Sequence, residues 1–166
     1  WEDRSSCILF GDGAGAAVVR AEEGELYPSV AGSDGTMGHV LACESRVQND
    51  WQQKETDRKT YIDMDGTAVF KFAVRKMPEM AKSLMTQMHC TEADIDWFIT
   101  HQANERIIEA IARRLKSDIA KFPMNIAECG NTSSASIPIL LDEMNRSGQL
   151  KDGQKIIMAG FGAGLS

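Results

Sequence analysis

The apolar residues of the opening segment fall in short β-rich blocks, whereas those after Ala68 recur with helical spacing. SSCILFGDGAGAAVVRA reads as strand, tight turn and strand, its apolar runs flanking Gly11-Asp12-Gly13. ELYPSVAGSDG continues as another strand and a loop. From Gly38 to Lys59 the pattern lapses into polar, aperiodic sequence (CESRVQNDWQQKETDRK), as a long surface excursion would. YIDMDG predicts a short strand.

A helix is expected from Val69 to about Met88, with Phe72, Val74, Met77, Met80, Leu84 and Met88 keeping a rough 3.6 period. Pro78 should kink it or split it in two. Thr91 to Asp94 carries the cap and acidic third position of a helix start. WFIT predicts a four-residue strand that delivers His101 at its carboxyl end. NERIIEAIARRLK is an amphipathic helix: Ile107, Ile108, Ile111, Ala112 and Leu115 share one face, with Arg106, Glu109, Arg113 and Lys116 largely opposite. FPMNIA reads as a strand ending in a Gly130-Asn131 turn, TSSASIPILLDEMNRSG as a helix stopping at Gly148, and KIIMAGFG as a last strand. A hairpin followed by alternating helices and strands favours a layered α/β fold with a mixed sheet.

Composition narrows the function classes. The 166 residues are 43% apolar and 25% charged with a net charge of −6, which leaves no overall footprint for nucleic acid. No apolar run is long enough to predict a membrane-spanning helix. The four cysteines (Cys7, Cys43, Cys90, Cys129) form no CxxC pair and no metal-ligand spacing with the three histidines, so no metal is expected. Unpaired cysteines and nine methionines suit a reducing cytoplasm. The chain opens on Trp1 and closes on AGFGAGLS, and both ends read as interruptions of a longer polypeptide.

Two residues could carry chemistry. His101 stands where a strand gives way to a helix, and Asn131 stands at the expected junction one unit later. An imidazole N–H and an amide NH₂ aimed at one point make an oxyanion hole. The small residues Thr132 to Ser136 would let a substrate approach the following helix. A histidine at a strand end is equally a structural residue, and an asparagine after glycine a turn residue. On spacing alone the chain is an α/β domain. GDGAG is read as a hairpin turn rather than a phosphate cradle, because it joins two strands and lacks the GxGxxG spacing. Cys129 is read as packing, and His39 and His89 as surface or loop residues.

HQANERII, GNTSSASIP, DRSSCILFGDGAGA and DMDGTAVFKFAV resemble, in order, the signature segments of the β-ketoacyl-acyl-carrier-protein synthase III family, within the thiolase-like superfamily. The resemblance implies a thiolase-like layered αβαβα fold made of two similar halves. Residues 1–21 would be the last strands of the N-terminal half, and residues 22–166 the C-terminal half, stopping before its final strand. It implies a decarboxylating Claisen condensation, in which an acyl group (acetyl, from acetyl-CoA) on a cysteine is attacked by the carbanion of malonyl-acyl carrier protein. His101 and Asn131 would bind the malonyl thioester carbonyl. Asn104 and Gly66 match positions near the pantetheine arm and CoA. Phe161 matches an aromatic beside the active-site cysteine, and Ala163 lies in the turn whose backbone N–H holds the acyl oxyanion. Lys71, Arg106, Arg113 and Arg114 match basic positions that meet the carrier protein, with a solvated helix face as the alternative for each.

The cysteine nucleophile itself is not expected among these residues. It would belong to the N-terminal half, which is an expected partner together with acyl carrier protein, acyl-CoA and a second copy in a homodimer. No cofactor is implied, since CoA enters as the thioester substrate. Two alternatives stand beside this reading: a sibling enzyme using another starter in secondary metabolism, and a non-catalytic fragment that only dimerises or docks carrier protein.

Overall fold

The computed structural model describes residues 3–4, 6–43, 61–162 and 165. Short 3₁₀ turns over Gly35–Val40 lead into strand β1 (Leu41–Cys43), which pairs antiparallel with β2 (Ile62–Met64). Part of the expected excursion from Gly38 is therefore regular structure, and residues 44–60 lie outside the described residues.

Helix α1 (Gly66–Gln87) starts at Asp65, whose side chain accepts the backbone N–H groups of Thr67 and Ala68, both at 3.0 Å. It runs on through Pro78 rather than dividing there. The missing hydrogen bond and ring clash cost about 3 kcal/mol. Eight residues on its inner side are buried, including Phe72, Val74 and Met77. Each large apolar side chain among them returns about 1.5–3 kcal/mol, so packing wins. The helix ends with His89 in the left-handed region (φ 50°), which is the loop role expected of that residue.

Thr91 donates its backbone N–H and its hydroxyl to Asp94, each at 2.7 Å, and the capped element is a single 3₁₀ turn at Glu92–Asp94. Strand β3 (Trp97–Thr100) follows and pairs in parallel with β4 (Ile156–Ala159), Trp97 opposite Ile156 and Thr100 opposite Ala159. Side-chain alternation sends β3 into two cores. Phe98 joins the cluster built by α1 and by α2 (Glu105–Leu115), while Ile99 packs with Leu140 and Met144 of α4 (Ser136–Arg146). The strand pair is thus sandwiched between helices, as its apolar runs require.

Four expectations fail. The described strands form two separate pairs rather than one mixed sheet. FPMNIA is not a strand: Pro123 has no N–H to offer a ladder, and the Asn125 carbonyl accepts from Glu128 and Cys129, closing the one-turn helix α3 (Ile126–Cys129). The opening segment is not a hairpin either. A two-stranded ribbon without a covered face is marginal, and Val18, Val19 and Leu26 are 99%, 90% and 100% exposed. ELYPSVAGSDG likewise forms no strand.

Instead, Phe10 makes a parallel bridge to Asn131: Asn131 N–H donates to the Leu9 carbonyl (2.8 Å), and Gly11 N–H to the Asn131 carbonyl (3.0 Å). GDGAG therefore allows close approach. A Cβ on Gly11 would fall 2.1 Å from the Cys129 carbonyl oxygen, and one on Gly15 2.3 Å from Pro138 Cβ. The partner loop turns on Gly130, at φ +68°. Gly11→Ala should destabilise the protein by about 1–3 kcal/mol in denaturant unfolding. Gly24→Ala, where an added Cβ meets nothing within 4 Å, should stay within about 0.5 kcal/mol. Equal midpoints for the two variants would remove the close-approach role.

Candidate active site

The β3–β4 ladder ends where His101 N–H donates to the Ala159 carbonyl at 2.9 Å. This holds the histidine backbone at the carboxyl end of the strand pair. Two groups fix its ring. Ser136 Oγ, the first residue of α4, lies 2.7 Å from Nδ1. Phe161, two residues past β4, meets the ring edge-on, with centroids 5.3 Å apart and planes at 73°. Burial pushes the His101 pKa below its ordinary 6.5, so the ring is neutral at physiological pH.

Asn131 follows α3 rather than a strand, so its position at a strand–helix junction is replaced by the bridge to Phe10. Its Oδ1 accepts the Ser133 backbone N–H at 2.9 Å. That bond assigns the amide orientation and leaves the NH₂ free to donate. Ser133 adopts φ +54°, a left-handed conformation that costs a non-glycine residue about 1–2 kcal/mol. The strain is local to the segment that orients Asn131.

His101 and Asn131 line one cavity of about 650 Å³, together with Gly66, Asn104 and Phe161. Among the described residues no charged side chain lines it; Val69, Ile107 and Ile137 supply apolar wall. Gly66 opens α1, and Asn104 caps α2 by accepting Arg106 N–H at 2.9 Å. Two helix N-termini therefore border the cavity, with first-turn N–H groups already taken by Asp65 and Asn104. Ala163 lies outside the described residues.

The basic residues are less focused. Lys71 on α1 and Arg106, Arg113 and Arg114 on α2 are all exposed. Arg113 is 4.0 Å from Glu109, while Lys71, Arg106 and Arg114 have no ion-pair partner among the described residues. Lys71 follows the cavity residue Phe70 on α1, and Arg106 lies between the cavity residues Asn104 and Ile107 on α2. Arg113 and Arg114 follow about two turns later, roughly 10–12 Å along the helix.

Of the cysteines, Cys129 ends α3, and burial together with the Glu143 and Glu128 carboxylates pushes its pKa up. A protonated thiol there is no nucleophile. Cys43 lines the cavity, but from the end of β1 rather than a helix N-terminus.

Two contributors carried no sequence signal of their own. Gln102 is fully buried: its amide NH₂ donates to the Thr100 (2.9 Å) and Pro123 (3.4 Å) carbonyls, and its Oε1 accepts Asn125 N–H at 3.2 Å. Ser136 is hidden in a run of small residues that reads only as substrate clearance. A buried polar residue beside a catalytic candidate has to be satisfied locally, and that was the available hint.

What the arrangement can do follows from its donors. A neutral imidazole and an amide NH₂ at one apolar cavity stabilise negative charge developing on a carbonyl oxygen, and neither needs to act as nucleophile.

The sequence matches the family described as 3-oxoacyl-(acyl-carrier-protein) synthase III C terminal over residues 85–166. It also matches the one described as 3-oxoacyl-(acyl-carrier-protein) synthase III over residues 1–35. It is 46% identical over 168 residues to a β-ketoacyl-(acyl-carrier-protein) synthase III of Clostridium novyi, and 43% over 167 residues to one of Clostridium kluyveri. The alignments cover 100% of this chain and 52% of each relative. Among solved structures, 3-oxoacyl-(acyl-carrier-protein) synthase III of Aquifex aeolicus VF5 superposes with a TM-score of 0.86 at 38% identity, over 98% of this chain and 49% of that one. The Pseudomonas aeruginosa PAO1 enzyme of the same name gives 0.80 at 38% identity, over 98% and 50%. The chain thus spans about half the length of the curated relatives it matches.

In the folded protein His101 should titrate below 6.5, read by NMR of its ring. Because its folded pKa is depressed, the unfolded state binds more protons in acid. Stability from this site is therefore present above the unfolded pKa and lost as pH falls below it. A His101 midpoint above 6.5 would contradict the buried, neutral ring.

Proposed function

The chain belongs to the 3-oxoacyl-(acyl-carrier-protein) synthase III family and carries its thiolase-like layered αβαβα fold, mainly the C-terminal half, and on that premise we propose that it forms the decarboxylation half of a condensing active site. The observation that carries the reading is His101 and Asn131 as two oriented donors on one cavity.

In the proposed reaction a malonyl thioester on acyl carrier protein binds with its thioester carbonyl against His101 and Asn131. The C–C bond to the carboxylate breaks, CO₂ leaves, and the electron pair spreads onto the carbonyl oxygen as an enolate. The two N–H donors bind that oxygen. The enolate carbon then attacks an acyl-cysteine, whose thiolate departs, giving a 3-oxoacyl product that initiates fatty acid synthesis. The acyl group comes from an acyl-CoA, acetyl-CoA being the expected starter. The cysteine is supplied by the N-terminal half, of which residues 1–21 are only the closing segment. Gly66 and Asn104, at the helix N-termini, would meet the pantetheine arm and Phe161 the acyl-cysteine, with Ala163 assigned to its oxyanion by the family resemblance. Lys71, Arg106, Arg113 and Arg114 would face the acidic carrier protein; local charge suffices for docking. The working unit is a cytoplasmic homodimer.

Malonyl-acyl carrier protein decarboxylation by the intact protein tests this, because the half-reaction needs no acyl-cysteine. His101→Ala and Asn131→Ala should each lower its kcat about 10²–10³-fold, the usual worth of one oxyanion donor. Unchanged rates would remove both residues from the chemistry. Peptide mapping after exposure to acetyl-CoA should find the acetyl group on a cysteine other than Cys7, Cys43, Cys90 and Cys129. An acetylated Cys43 would overturn the assignment of the nucleophile.

A further inference from the structure

We propose that Ser136 is a positioning residue that fixes His101 in the tautomer carrying its proton on Nε2. The inference rests on the reading of His101 as an oxyanion donor and deepens it. That reading needs a hydrogen on the ring nitrogen facing the substrate, and the histidine alone does not provide one, since either nitrogen of a neutral imidazole can hold the proton.

The hydrogen bonds around Ser136 decide between them. Its side chain is buried, at 1% exposure. Its Oγ accepts the Gln102 backbone N–H at 3.3 Å and lies 2.7 Å from His101 Nδ1. The hydroxyl has one hydrogen to give, and Nδ1 is the acceptor within hydrogen-bond distance among the described residues. If Nδ1 carried the proton instead, Ser136 would accept twice and its own hydrogen would be stranded in a buried site. The satisfied arrangement runs Gln102 N–H to Ser136 Oγ, then Ser136 O–H to Nδ1, leaving the proton on Nε2. Gln102 anchors the chain at its far end, since its side chain is tied to the Thr100 and Pro123 carbonyls and to Asn125 N–H.

A hydroxyl also orients without charging. A carboxylate in its place would favour the imidazolium, whereas serine can accept the Gln102 N–H and still hold a neutral ring. The same short segment serves both donors. Ser133 N–H fixes the Asn131 amide, and Ser136, at the first position of α4, fixes the His101 ring.

Nitrogen-15 NMR of the intact, histidine-labelled protein reads the tautomer directly, with His101→Gln identifying the signal. The Nε2–H form should dominate in the wild type. Ser136→Ala should yield a mixture of tautomers and a 10–100-fold lower kcat for malonyl thioester decarboxylation, the usual cost of removing an orienting partner, with KM within about twofold. Ser136→Cys, which keeps a weak donor, should recover part of both. A wild-type ring protonated on Nδ1 overturns the proposal without any variant being made. So does an alanine variant that keeps the Nε2–H form, even if the protein decarboxylates as expected. Conversely, a tautomer shift in a protein that never decarboxylates upholds the role of Ser136 and sinks the proposed reaction instead.

Discussion

The parallel pairing of β3 with β4 is the constraint on which the site depends. Each strand has only four residues, too few to persist alone, and the pair is held because helices cover β3 on both faces. Phe98 is stacked on Phe122 with centroids 4.7 Å apart on one side, and Ile99 is fully buried against α4 on the other. The last ladder bond belongs to His101, and the chain leaving β4 carries Phe161 against its ring. A one-residue slip would exchange the two core faces and carry His101 away from Ser136. Core packing thereby sets the geometry of the candidate site.

The second constraint is how closely the opening segment approaches the loop before α4. Asn131 is held through its backbone by Leu9 and Gly11 and through its side chain by Ser133. Neither set of bonds comes from a regular sheet. The positions that make them possible are glycines at 11 and 130 and a serine in a left-handed conformation. The two donors thus reach one cavity by different means, His101 on a packed strand pair and Asn131 on a loop clamped from two sides.

Where a segment carried its own reason to fold, the sequence was legible. The stripe of α2, the β-rich run of β3 and the glycine after α4 each predict the element found, because the buried face is written within the segment. His101 and Asn131 were legible as candidates, although the strand assigned before Asn131 is a helical turn. The hairpin over Ser5 to Ala21 was misread because short β-rich apolar runs specify a strand only if a neighbour pairs with it. Val18 and Val19 have none among the described residues. The close-approach glycines and the Gln102–Ser136 connection were illegible for a related reason: each is defined by a residue distant in sequence, brought near by packing no local pattern records.

The central claim is that His101 Nε2 and Asn131 Nδ2 serve one oxygen atom. A crystal structure of the intact protein with a malonyl thioester analogue that cannot lose CO₂ tests it most directly. The account predicts the thioester carbonyl oxygen about 2.7–3.1 Å from both nitrogens. A carbonyl oxygen bound elsewhere in the cavity, with either nitrogen facing only solvent, would contradict it.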